Sequence, residues 1–247
     1  MADAPYPIWY INLARDVERR ERMEQEFARL GLIATRLEAV WWADLPPERQ
    51  DALYAPLLNQ HQYYQPLANG EKGCYASHVA LWQALLTSDA TAFVVLEDDV
   101  CLDVSLAQTL HALAKRPTDW DMVKLQGRPR EKVRASRALG DRSLVQYERV
   151  PSMTAGYVVS RSGARKLLAS RLPFGRPIDV DLRFWWENGM RILGIVPAVV
   201  QLDTTSEVSS IWAQRPRKPL VAKWRKFRMK LRMGLLNHWH LRHQAPP

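Results

Sequence analysis

Residues 92–96, Ala-Phe-Val-Val-Leu, form an unbroken apolar run that ends in three carboxylates, Glu97, Asp98 and Asp99. A run that is apolar on both faces predicts a central strand covered by helices. Ligands of open α/β sheets bind in the crevice outside the carboxyl ends of such strands. Acidic side chains there are placed to share a hard cation with phosphate oxygens; an acidic surface turn is the competing reading. Residues 7–13 read as an earlier strand. Asp16 stands as N-cap of the next helix, with Met23, Phe27 and Leu30 on one face and Gly31 at its end. Residues 35–40 read as a second strand. Pro46, Pro47, Pro56 and Pro66 break residues 44–69 into a loop with a short helix. Gly70-Glu71-Lys72-Gly73 opens a helix to about residue 86, with Cys74, His78, Leu81 and Leu85 sharing a face.

Further on, the pattern predicts a helix over 106–114, a strand over 120–127 and a basic, aperiodic mobile loop over 128–142. A strand-like run over 150–160 contains Gly156, which marks close backbone approach. A helix over 164–169, a second over 182–188 ended by Gly189, and a last strand over 191–200 complete the body. The alternation predicts an α/β fold with a mostly parallel central sheet. The tail has another character. Leu220, Trp224, Phe227, Leu231 and Leu235 make a helical stripe, and Lys223, Arg225, Lys226, Arg228 and Lys230 fill much of the remainder. A basic amphipathic helix carrying Trp and Phe predicts a segment lying on an anionic membrane surface. A helix packed on the domain is the alternative. Nucleic acid is not expected, because the stripe is aliphatic and aromatic.

Charge sharpens this division. The formal charge is +9, yet no acidic residue follows Glu207 and ten lysines and arginines do, so the first 207 residues are close to neutral. At 247 residues the chain accommodates one large α/β domain and an appendage. The first residues have neither a basic n-region nor an apolar h-region, so no secretory leader is expected. Cys74 and Cys101 fall in no metal-ligand spacing and are expected as buried free thiols in a reducing compartment, with a Cys74–Cys101 bridge as the alternative.

Five blocks, in this order, resemble glycosyltransferase family 25, the group of bacterial lipopolysaccharide and lipooligosaccharide galactosyltransferases related to collagen galactosyltransferases. They are Ile11-Asn12-Leu13 with Arg19-Arg20; Gly70-Glu71-Lys72-Gly73-Cys74 with Ser77-His78 and Trp82; Leu96-Glu97-Asp98-Asp99; Gly156-Tyr157 through Ser160 with Gly163-Ala164 and Leu167-Leu168; and Pro177-Ile178-Asp179. The resemblance covers residues 8–212 and implies a GT-A-like, Rossmann-type nucleotide-sugar-binding domain over 1–212, with 213–247 as the tail. It also implies inverting transfer of a hexose, galactose first, from a UDP-sugar donor to a sugar hydroxyl.

Glu97-Asp98-Asp99 is similar to the acidic metal motif of such enzymes. Strand alternation puts Glu97 and Asp99 on one side, so Asp99 is assigned to a divalent metal, Mn²⁺ or Mg²⁺, with Glu97 or Asp98 holding the metal or the donor ribose. The late histidines His238, His240 and His243 all lie in the tail, so either water and the donor complete the metal sphere or metal dependence is weaker than the motif implies. Asp179 matches the family's late aspartate and is the expected general base; Asp181 is its rival, with helix capping as the other role. Asn12, Arg15, Arg20, Glu71, Ser77, His78 and Lys124 are donor-side candidates, although His78 also suits a buried core position and Arg19 or Arg20 a solvated face. Gly156 and Tyr157 are candidates for an acceptor-side wall or for core packing. The resulting expectation is a cytoplasmic enzyme on the inner face of the inner membrane, acting on a lipid-linked oligosaccharide. A metal-dependent phosphoesterase acting on nucleotide sugars and a non-catalytic sugar-nucleotide binder are the rival readings.

Overall fold

A computed structural model of the chain describes residues 4–127, 131–203 and 220–244. The expected boundary at 212/213 and the tail residues Arg215, Arg217 and Lys218 lie outside them. The chain opens with β1 (Ile8–Asn12), α1 (Val17–Leu30) and β2 (Ala34–Glu38). Asp16 takes the N-cap position of α1 without a side-chain capping bond, and Gly31 ends the helix in the left-handed region at φ +63°. The proline-rich stretch holds two short helices rather than one, α2 (Pro47–Leu53) and α3 (Pro56–Gln62). Each begins on a proline, whose missing N–H costs nothing at the first helical position. Then come α4 (Asn69–Thr87), β3 (Ala92–Glu97), β4 (Val100–Leu102), α5 (Leu106–Ala114) and β5 (Met122–Lys124). The second half runs β6 (Val133–Leu139), β7 (Arg142–Tyr147), β8 (Gly156–Ser160), α6 (Arg161–Arg171), α7 (Ile178–Asp181), a 3-10 turn Leu182–Glu187, β9 (Ile192–Val196), β10 (Val200–Leu202) and α8 (Leu220–Leu241).

The main sheet has eight strands in the order β2-β1-β3-β8-β5-β9-β7-β6. Six run one way; β8 and β7 run against them. β3 sits near the middle, and its residues alternate between two cores. Phe93 and Val95 pack with α4, α6 and α7, whereas Val94 and Leu96 pack with α1 and α5. Val94, Val95 and Leu96 are wholly buried, and burying each such side chain contributes roughly 1.5–3 kcal/mol. The continuous apolar run is therefore the signature of a strand with two covered faces.

Two expectations are corrected. Residues 133–139 are not loop but β6, which forms a hairpin with β7 across Gly140-Asp141, Gly140 supplying φ +58°. The single last strand is two: β9 joins the main sheet, and β10 pairs antiparallel with β4.

α8 is a helix as expected, but its apolar stripe faces outward. Trp224, Phe227, Leu231 and Leu235 are 52–64% exposed. The opposite face, with Ala222, Met233, Asn237 and Leu241, is buried on the body. Asn237 is the pin: its Nδ2 donates to the Glu148 carbonyl at 2.7 Å, and its Oδ1 accepts from Trp185 Nε1 at 3.0 Å.

Candidate active site

The ends of β1, β3 and β5 bring Asn12, Glu97 and Lys124 to one edge of the sheet, and the start of β8 runs beside them, with Leu96 opposite Gly156. The three acidic residues after Leu96 separate into two environments. Asp98 turns toward α1, accepting from Asn12 Nδ2 at 2.8 Å and from Arg19 Nη1 at 3.0 Å. Burial pushes its carboxyl up in spite of both donors. Asn12 also donates to the Asp16 carbonyl and accepts from Arg36, so it is an organiser of this corner. Arg19, rather than Arg20, reaches the acidic turn; Arg20 pairs with Glu24 along its own helix at 3.8 Å. Neighbouring helix positions differ by about 100° in direction, a choice that composition does not make.

Glu97 and Asp99 form the second environment. Burial alone would raise Glu97, but the His78 ring at 3.6 Å and a hydroxyl hydrogen bond from Thr154 outweigh it and hold the carboxyl below its ordinary value. Asp99 has only the charge of Arg19 and a backbone hydrogen bond to set against burial. Burial, then the charge of Glu97, pushes it up to about 6, and its Oδ1 is buried without a hydrogen-bond partner. Cys74, on α4, shows how closely the acids converge. Its thiol is pushed well up by burial and then by Glu97, Asp179, Asp99 and Glu71 together.

The cation facing this acidic group is Lys124. It is fully buried, its Nζ donates to the Met153 carbonyl, and burial lowers it to about 8 against the opposing pull of Asp179 and Glu97. Met153 holds φ +80°, which for a non-glycine residue stores strain beside the site.

His78 is oriented by a run of donors. Trp82 Nε1 donates to the Tyr157 hydroxyl at 3.1 Å, and that hydroxyl lies 2.8 Å from His78 Nδ1. With Tyr157 donating to Nδ1, the remaining ring proton sits on Nε2, which faces Glu97 at 3.6 Å without a hydrogen bond. Trp82, Tyr157 and His78 thus form a buried relay that fixes Glu97. Tyr157→Phe removes the middle member and leaves Trp82 Nε1 unpaired. It should cost about 1–3 kcal/mol of stability and on the order of tenfold in turnover, read from a melting curve and initial rates of one preparation.

The relay corrects the acceptor-wall expectation for Gly156 and Tyr157. Tyr157 is wholly buried, and a Cβ on Gly156 would meet Val200 at 2.9 Å, so that close approach is to β10. Ser77 is likewise internal: its hydroxyl accepts from Val40 N–H and donates to the Gly73 carbonyl, pinning α4 to the chain after β2. Glu71 caps α4 by accepting from Ala68 N–H at 2.8 Å. Arg15 is exposed at the mouth, its guanidinium 3.9 Å above the Trp41 ring.

The two late aspartates part company. Asp181 is buried and engaged on both oxygens, by Arg176 at 2.8 Å and the Tyr75 hydroxyl at 2.7 Å. Arg171, Arg176, Asp181 and Glu187 form a charge-balanced quartet behind the site. Asp179 is half-buried, and its carboxyl is raised by burial against the lowering influence of Lys124. Thr154 and the Trp82 indole touch the candidate site, and sequence reasoning gave neither a role there.

Two donor sets could hold a cation. Glu97 with Asp99 is an all-oxygen pair, and the partnerless Asp99 oxygen fits a hard ion such as Mn²⁺ or Mg²⁺. Cys74, His78 and Glu97 have ligand atoms within 4.8 Å of one another, a sulfur–imidazole–carboxylate set of the kind zinc takes.

Comparison with known proteins places this site in context. The family model described as "Glycosyltransferase family 25 (LPS biosynthesis protein)" matches residues 6–182, a span that includes every acidic residue of the candidate site except Glu187. A Drosophila melanogaster glycosyltransferase 25 family member is 30% identical over 180 residues, covering 70% of this chain and 29% of its own. Procollagen galactosyltransferase 1-B of Xenopus laevis is 31% identical over 183 residues, covering 70% and 30%. Procollagen galactosyltransferase 2 of Homo sapiens is 29% identical over 182 residues, covering 70% and 29%. The chain thus spans about three tenths of the length of these relatives. Among solved structures, a glycosyltransferase involved in glycosylation of the major capsid of PBCV-1 aligns over 92% of this chain and 98% of its own, with a TM-score of 0.40 and 10% identity.

Proposed function

Given that the chain belongs to glycosyltransferase family 25, we propose that it is an inverting, metal-dependent hexosyltransferase that moves galactose from a UDP-sugar to a sugar hydroxyl of a lipopolysaccharide or lipooligosaccharide acceptor. The observation that carries the reading is the acidic pocket in which Glu97, Asp99 and Asp179 converge around the Cys74 thiol, faced among the described residues by Lys124. Glu97 and Asp99 would hold Mn²⁺ or Mg²⁺, which when bound neutralises charge developing on the leaving diphosphate. The relay through Tyr157 and His78 keeps Glu97 ionised and fixed. Asn12 and Arg19 keep Asp98 turned toward α1, where the corner between β1 and β3 would receive the nucleoside. Asp179 takes the acceptor hydroxyl proton. Burial raises its pKa against the pull of Lys124, which makes it a stronger base than an exposed aspartate.

The reading is tested by UDP release from a panel of UDP-sugars, with Mn²⁺ or with EDTA, with and without galactose- or glucose-terminated acceptors. Two relatives carry the name procollagen galactosyltransferase, so a collagen-type peptide belongs in the panel. Acceptor-stimulated, Mn²⁺-dependent release from UDP-galactose is the expected result. Acceptor-independent release would turn the reading to a phosphoesterase, and UDP binding without turnover to a binding module.

An acceptor at the membrane is supported by the character of α8. Its outward face carries the Trp224–Phe227 ring pair, with centroids 5.7 Å apart, flanked by basic residues and no acidic ones. Such a face suits the interface of an anionic leaflet, where each basic residue near the surface contributes about 1 kcal/mol. Among the described residues no helix is long and apolar enough to cross a membrane. Sedimentation with phosphatidylglycerol vesicles should fall roughly tenfold or more in W224S/F227S, and little with phosphatidylcholine vesicles in either protein. Equal sedimentation of wild type and variant would remove α8 from the membrane.

A further inference from the structure

Between α3, α8 and the turn after α7 lies a cleft of about 320 Å³. Its lining contains Arg176, Arg225, Arg228 and Arg232 with His61, and among the described residues no carboxylate. Arg225, Arg228 and Arg232 recur at helical spacing, so they project from one side of α8. Arg225 is tied down, donating to the carbonyls of Gln60 and Tyr63. Arg176 stacks 3.8 Å from the Phe184 ring and pairs with Asp181 and Glu187 behind the cleft, yet its Nε is buried without a partner. Arg228 and Arg232 are exposed and make no hydrogen bond or ion pair among the described residues.

Guanidinium groups gathered in a concavity without acids repel one another, and here the docking of α8 through Asn237 holds them there. Their planar forks match the oxygens of a phosphate better than any other common anion except a carboxylate. The cleft is large enough for a diphosphate. One of its walls, Tyr63, feels the charge of Asp179, so the cleft and the acidic pocket flank the same turn.

We propose that this cleft is a binding site for a phosphate or diphosphate group, gripped by Arg228 and Arg232 with Arg176 and Arg225 as its floor. It lies on the Asp179 side, where the phosphate would belong to the acceptor rather than the donor. That last placement rests on the transfer reading; the anion site itself does not.

The test is calorimetric titration of inorganic diphosphate into the full chain, in EDTA and with UDP present to occupy the donor pocket. Wild type should bind, and R228E/R232E should bind at least tenfold more weakly, with R228Q/R232Q in between. Circular dichroism and melting curves check that the variants are folded. No binding by wild type, or equal binding by wild type and folded variants, would overturn the proposal. A second arm adds phosphatidylglycerol vesicles. Displacement of the protein from them by diphosphate identifies a lipid headgroup as the occupant, and continued vesicle binding assigns the cleft to a soluble phosphate ester. Intact diphosphate binding in a protein that transfers no sugar would remove the acceptor placement alone.

Discussion

Asn in place of Asp179 is expected to lower kcat roughly 10²–10⁴-fold, the usual contribution of a positioned general base, with little change in the KM for donor. The protein should melt no earlier than wild type. Burial raises the Asp179 carboxyl on balance, against the pull of Lys124, so folding disfavours its charged form and the amide removes that penalty. The same substitution two residues on should do the reverse. Asp181 neutralises Arg176 and Arg171 in the interior, and removing one partner of a buried pair costs about 3–5 kcal/mol. For a chain of this size that is a fall in melting temperature on the order of 10 °C. Activity measured well below the melting point should survive in D181N. Steady-state kinetics and a melting curve on both variants decide the matter. If D181N were catalytically dead but fully stable, the roles given to the two carboxylates would have to be exchanged.

Asp99→Asn carries the second large effect. It should lower Mn²⁺-dependent turnover about 10²–10³-fold, since the lost ligand stabilises several kcal/mol of developing charge. Yet in EDTA the variant should be the more stable protein. The folded-state pKa of Asp99 is raised to about 6 from an ordinary 3.8. Folding therefore favours its protonated form, and the stability it contributes below about pH 4 is lost as pH rises through 6. At pH 8 the ionised carboxylate costs the metal-free protein roughly 3 kcal/mol, and the amide removes that cost. Mn²⁺ should raise the melting temperature of wild type at pH 8 and leave D99N where it was. In wild type the proton and the cation compete for one carboxylate, so the apparent Mn²⁺ affinity should weaken as pH falls below 6. A D99N protein less stable than wild type at pH 8 would show that Asp99 is paired, not poised.

What could be read along the chain depended on burial. β3 was legible because both its faces are covered, so its pattern is an uninterrupted apolar run. α4 was legible because its buried positions recur on one side. β6 was not, because it is the sheet's edge strand: Val133, Arg134, Ser136 and Ala138 are exposed, which leaves little alternation to read. The Gly140-Asp141 pair was the available signal, a two-residue turn of hairpin type. In the tail the helix was legible and its orientation was not. The stripe of Trp224 and Phe227 is the more apolar face, yet the docked face uses Asn237, whose two hydrogen bonds suit a buried position better than hydropathy suggests. The carboxylates of the site were visible as a motif. Their division into Asp98 with Arg19, Glu97 with His78 and Thr154, and a solitary Asp99 is a matter of which neighbours fold against each, over separations such as the 79 positions between Arg19 and Asp98.

The way α8 is seated also governs what can be removed from this protein. A chain ending at residue 203 would keep every acidic residue of the pocket, and on paper it is the natural minimal transferase. It would also strip the cover from Trp185, leave its indole N–H and the Glu148 carbonyl without the Asn237 amide, and open the Arg176 side of the quartet to water. Trimming in pursuit of better behaviour in solution would exchange one greasy surface for another, and the new one would belong to the interior. Exchanging Trp224 and Phe227 for polar residues, with the helix kept in place, is the milder operation: it blunts the outward face and leaves the seam intact.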